Sequence, residues 1–115
     1  MANDNPLPTT RERIGDVAPK LVDLTEKVLF GDVWERPGLS KRDRSFATIT
    51  ALIALNRTEQ LIPHMARAID NGVTADEVIE LITHLAFYAG WPAANSAIPI
   101  LRKAFEEVGT ERTPS

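Results

Sequence analysis

The sequence predicts an all-α fold, a compact bundle of five to six helices, and three observations carry that reading. Apolar residues recur at helical spacing almost everywhere. Gly and Pro stand between such segments and not inside alternating runs, and no run reads convincingly as a strand. At 115 residues, with 43% apolar and 25% charged side chains, the chain can fill one core and is too short for two, so residues 1–115 read as a single domain.

Residues 1 to about 10 and 110–115 are rich in polar residues and Pro and are expected to be loose tails. A short helical turn fits residues 10–17, and a first main helix fits 19–30: Pro19 suits a first turn, Leu21, Leu24 and Val28 fall on one stripe, and Gly31 can end it. Residues 32–39, DVWERPGL, read as a loop because Pro37 and Gly38 break regular structure. Ser40 with Asp43 resembles a capping box that opens a helix to about Asn56. Its body, FATITALIAL over 46–55, is apolar on every side, which predicts a helix either central in the domain or shared with a neighbouring subunit.

The next helix, about 59–71, contains Pro63, whose missing N–H and ring should kink it or delay its start, and Asn71 and Gly72 end it. Thr74 and Glu77 form a capping box for a helix to about Ala89, with Val78, Leu81, Ile82, Leu85 and Ala89 as its buried stripe. Gly90 stops that helix. Pro92 sits near the first turn of the last one, which carries Ile98, Leu101, Phe105 and Val108 on one face and ends at Gly109.

The 13 basic and 16 acidic side chains give a net charge of -3 and include no block of like charge that could track a phosphate backbone, so nucleic acid is not an expected partner. The absence of cysteine excludes disulfides, thiolate zinc sites, cysteine nucleophiles and thiol peroxidase chemistry together. The amino terminus lacks the apolar run of a secretory signal, and the longest apolar stretch, 49–55, is too short to span a bilayer. A cytoplasmic protein without a membrane partner is the expectation.

His64 follows Pro63, where a redirected backbone can make a pocket, and histidine exchanges protons near neutral pH. His84 lies one helical turn after Glu80, with Phe87, Tyr88 and Trp91 continuing in that general direction; a surface ion pair and a binding site fit Glu80 and His84 equally. The two histidines are too far apart in sequence, and lack the spacing, to suggest a metal site. Arg36, Arg42 and Arg44 bracket the loop after Trp34, from which guanidinium forks could grip a carboxylate; Arg42 fits a solvated first turn better, and Arg44 opens onto the apolar helix. Glu59 suits the positive end of its helix, and it can reach His64 only if Pro63 breaks the regular geometry. No GxSxG elbow, Walker loop or dinucleotide fingerprint occurs.

Three segments, GDVWERPGLSKRDRS, then LIALNRTEQLIPHMARAIDNGVTADEVIELITHLAFYAG, then WPAANSA, resemble the carboxymuconolactone decarboxylase family in order and spacing over about two-thirds of the chain. The resemblance implies an alkylhydroperoxidase-like helical fold and a homo-oligomer, a hexamer or trimer. Peroxidase members of the wider family carry a CxxCxxxH pattern; the matching positions here are Arg57, Gln60 and His64, so the histidine is present and both sulfurs are missing. Decarboxylase members convert 4-carboxymuconolactone to 3-oxoadipate enol-lactone and carbon dioxide in aromatic catabolism, without metal or redox cofactor.

On that resemblance His64 would donate the proton that replaces the lost carboxylate and Glu59 would tune it. Arg44 and Arg36 would grip carboxylate, and Trp34, Phe87 and Trp91 would form a dry wall, with His84 also at the substrate site. The segment before Gly31 matches the dedicated decarboxylases poorly, and HLAFYAGW is closer to a broad branch of the family, so another lactone or a small oxo-acid also fits. Two other readings stand beside this one: a lactone or oxo-acid tautomerase, and a non-catalytic oligomeric scaffold or small-ligand binding protein.

Overall fold

The computed structural model describes residues 8–109, and these form six α-helices, one π-helical turn and one 3-10 turn, with no strand among them. The expected tails therefore fall outside the described residues except at 8–10, and there Thr9 already caps a helix. Among the described residues no helix is long and apolar enough to cross a membrane. The chain divides into two compact units, 1–41 and 42–115.

In the N-terminal unit, α1 (Thr10–Ile14) begins with a reciprocal capping box: Glu12 N–H donates to Thr9 Oγ1 at 3.1 Å and Thr9 N–H donates to Glu12 Oε1 at 2.8 Å. α2 (Pro19–Asp23) starts on proline, as expected, but continues as a π-turn over Leu24–Leu29, where Phe30 N–H reaches back to Thr25 O at 3.0 Å. The widened turn breaks the 3.6-residue register on which the expected stripe depended. Val22 is the buried residue of this segment, and Leu21, Leu24 and Val28 remain exposed. Gly31 follows, and a Cβ there would lie 2.7 Å from Lys27 O and 2.9 Å from Glu26 O, which only glycine avoids.

Arg11 joins α1 to this second segment: its Nη2 donates to Asp23 at 2.8 Å and to Glu26 at 3.0 Å, and its Nε also faces the Glu26 carboxylate. The expected loop contains a 3-10 turn, Val33–Glu35, which buries Trp34 and sets its ring 5.6 Å from that of Phe30.

The C-terminal unit is a four-helix core: α3 (Lys41–Ala54), α4 (Thr58–Asp70), α5 (Ala75–Ala89) and α6 (Trp91–Gly109). Helix α6 packs along both α4 and α5. Ile49 and Ile53 of α3, Leu61, Met65 and Ala68 of α4, Val78, Leu81, Ile82 and Leu85 of α5, and Ala94, Ala97 and Leu101 of α6 make one apolar cluster. Small alanines on α6 let its backbone approach closely. On α3, only Ser45, Ile49 and Ile53 are buried, whereas Ala47, Ala51 and Ala54, and Leu55 just past its end, are exposed. The helix is therefore covered on one side within the chain.

Local chemistry sets the turns. Asn56 takes a left-handed φ of 57° between α3 and α4, and Arg57 N–H closes the turn on Leu52 O at 2.8 Å. Gly90, at φ 99°, separates α5 from α6. The Thr74–Glu77 capping box forms as the spacing predicts, and Glu77 also accepts from Arg42 at the start of α3. Buried Ser45 accepts a 2.9 Å hydrogen bond from Asn71 Nδ2, tying α3 to the end of α4.

Candidate functional site

Pro63 lies inside α4, and the helix runs without interruption from Thr58 to Asp70. Its start is not delayed. An unbroken helix turns about 100° per residue, so Leu61, Met65 and Ala68 face the core together. Beside that apolar stripe, at spacings of three and four, run Arg57, Gln60, His64 and Arg67. This polar edge of α4 is where the structure gathers groups able to do chemistry.

His64 is half-buried, and its Nδ1 is buried without a hydrogen-bond partner among the described residues. Such orphaned buried atoms are uncommon, because the lost hydration is not replaced, and they call for a reason such as a ligand or a chemical role. Burial holds the imidazole below its ordinary pKa, and the neighbouring Arg67 charge lowers it further. In the free protein at neutral pH His64 is accordingly uncharged, with one ring nitrogen able to accept and the other to donate.

Glu59 and His64 are five positions apart, which on a continuous helix sets them on different faces. Glu59 is exposed in the first turn, where a carboxylate complements the helix terminus, and the structure does not bring it onto His64. Arg44 is half-buried in the first turn of α3 with its Nε buried. Arg36 and Trp34 belong to the N-terminal unit, Arg36 exposed and Trp34 buried.

His84 is exposed and lies against Tyr88, ring centroids 4.7 Å apart; an ion pair with Glu80 is not among the bridges of the described residues. It lines a shallow, open groove with Phe46, Glu77, Glu80 and Leu81, which does not include His64, Glu59 or Arg44. Of the two carboxylates on that groove, Glu77 is paired with Arg42. Phe87 and Trp91 meet edge to face at 5.0 Å, and at 73% and 55% exposure they wall off nothing within a single chain.

Arg67 was not singled out by the sequence, although its place one turn beyond His64 is a signal the spacing contains. The electrostatic influence on the histidine makes it visible. The orphaned Nδ1 could not be read from sequence, since it depends on which neighbours three other helices bring.

A family model described as the carboxymuconolactone decarboxylase family matches residues 19–103. The chain is 39% identical over 98 residues to 4-carboxymuconolactone decarboxylase of Acinetobacter baylyi, an alignment that takes in 85% of this chain and 73% of that protein. It is 34% identical over 86 residues to nitrosuccinic acid decarboxylase npaB of Metarhizium robertsii, across 75% of this chain and 60% of that relative's length.

Proposed function

The chain belongs to the carboxymuconolactone decarboxylase family, and from that membership we propose that it is a carboxy-lyase acting on a small carboxylated lactone, with 4-carboxymuconolactone as the first substrate to test. Both curated relatives carry decarboxylase names, which supports the reaction class. In the structure, the observation that carries the proposal is the half-buried His64 with its unpartnered Nδ1 on the polar edge of α4.

The two named substrates share a chemical frame. Each holds a succinate unit in which the carbon bearing one carboxylate also bears an electron acceptor: an unsaturated lactone in 4-carboxymuconolactone, a nitro group in nitrosuccinic acid. When the carbon–carboxylate bond breaks, its electron pair moves into that acceptor, giving a furanolate-like or nitronate anion. Carbon dioxide leaves, one proton is taken up at carbon, and the second carboxylate stays on the product. The acceptor is the electron sink.

What this chain must supply is therefore anion binding, a poorly solvated place for the departing carboxylate and one proton. His64 is the proposed proton donor. Arg44, with Arg36, is proposed to hold anionic oxygen of the substrate, and Trp34, Phe87, Trp91 and His84 remain proposed contacts from the resemblance alone. Glu59 enters as a helix-terminus charge. Because Phe87, Trp91, Leu55 and Ile62 are all exposed in the single chain, we also propose a homo-oligomer, hexameric or trimeric, that covers such surfaces. A monomer in sedimentation would refute that part.

The test is carbon dioxide release and lactone product from freshly prepared 4-carboxymuconolactone. Turnover establishes the activity. Solvent-proton exchange into a lactone without carbon dioxide would replace it with a tautomerase, and inertness toward carboxylated lactones and nitrosuccinate alike would favour a binding protein.

A further inference from the structure

We infer that Arg67 is the side chain that anchors the carboxylate retained by the substrate, and that the anion held there is what charges His64 for proton return. The inference rests on the decarboxylase reading above. Its geometric basis is the continuity of α4: Arg67 lies one turn past His64 on the same edge of the helix, where a guanidinium fork can hold a carboxylate beside the imidazole.

The reaction supplies the need. Loss of carbon dioxide consumes one proton, and a histidine can give it only when charged. His64 is instead held neutral in the free protein, by burial first and by the Arg67 charge second. No charge on the packed helices perturbs it among the described residues: neither Arg42, Asp43 and Arg44 on α3, nor Glu77 and Glu80 on α5, nor Arg102, Lys103 and Glu106 on α6 acts on it. Among the described residues no carboxylate acts to favour the imidazolium.

A dianionic substrate changes that balance. One carboxylate seated on Arg67 cancels the repulsion the guanidinium exerts and adds a negative charge next to the ring, so binding draws a proton onto His64. The same ligand that needs the proton thus brings it in. A monocarboxylate lacking the second arm would do this poorly. After transfer to carbon, His64 is neutral again, and the product keeps a single carboxylate on Arg67.

The experiment follows the His64 ring protons by NMR across pH in wild type, Arg67→Gln and Arg67→Lys, each alone, with succinate and with butyrate. Succinate should raise the His64 midpoint in wild type, and butyrate should do so far less. Arg67→Gln should raise the midpoint of the free protein, weaken succinate binding about 10- to 100-fold and abolish the succinate shift. Arg67→Lys should retain part of it. An unchanged succinate response in Arg67→Gln, or none in wild type, overturns the inference. Because no turnover is involved, this result is independent of the carbon dioxide assay, which alone decides the decarboxylase reading.

Discussion

Arg67 stands one helical turn from His64 on α4, and its positive charge adds to burial in lowering the histidine's affinity for a proton. A group whose folded pKa lies below its unfolded one binds more protons in the unfolded chain as pH falls. Stability contributed by neutral His64 is therefore complete above the unfolded histidine value and declines as pH falls from about 6.5 toward the folded value, levelling below it. Urea unfolding of wild type and His64→Gln across this range should show the step in wild type alone.

Glu77 gives a second step at lower pH. Its carboxylate is held below the ordinary range first by the Thr74 amide and then by Arg42, so the stabilisation is present above the unfolded glutamate pKa and lost as pH falls through the folded one. Glu77→Gln should flatten the acid limb of the stability curve and leave the histidine step in place.

The buried Ser45–Asn71 hydrogen bond couples the start of α3 to the end of α4. Ser45→Ala removes the acceptor from a site with almost no solvent access. A Ser45→Ala and Asn71→Ala double-mutant cycle in urea should give a coupling of about 0.5–1.5 kcal/mol. Additive effects would mean the bond contributes nothing net.

Gly31→Ala should destabilise the protein, by about 1–3 kcal/mol, because its Cβ would press on the backbone carbonyls of Lys27 and Glu26. Gly38→Ala, at a position with nothing within 4 Å of the new carbon, should be neutral or slightly stabilising. Thermal melts of the two variants make the comparison.

Much of the fold was legible because it rests on local chemistry. The Thr74–Glu77 box, Pro19 in a first turn and Gly90 between helices follow from residue type and spacing, and each appears where expected. The π-turn after Asp23 was not legible: nothing in LTEKVL marks a change of hydrogen-bond register, and it breaks the stripe that Leu21, Leu24 and Val28 were expected to form. Pro63 lies within α4 without delaying its start, and the five helical positions between Glu59 and His64 set them on different faces. His64 itself stood out as a histidine in a family pattern. Its buried, unpartnered nitrogen arises from packing, which sequence spacing does not contain.

Glu59, exposed and on a different face, should matter little to the histidine. Glu59→Gln is expected to leave the His64 titration midpoint within error of wild type by NMR. A clear shift would restore Glu59 as an orienting group.

The most direct measurement is kcat/KM for carbon dioxide release from 4-carboxymuconolactone by wild type and His64→Ala, with circular dichroism confirming that the variant is folded. A positioned general acid contributes about 10²- to 10⁴-fold, so the folded variant should lose activity on that scale. A folded His64→Ala protein with near wild-type turnover would contradict the assignment of the proton to His64.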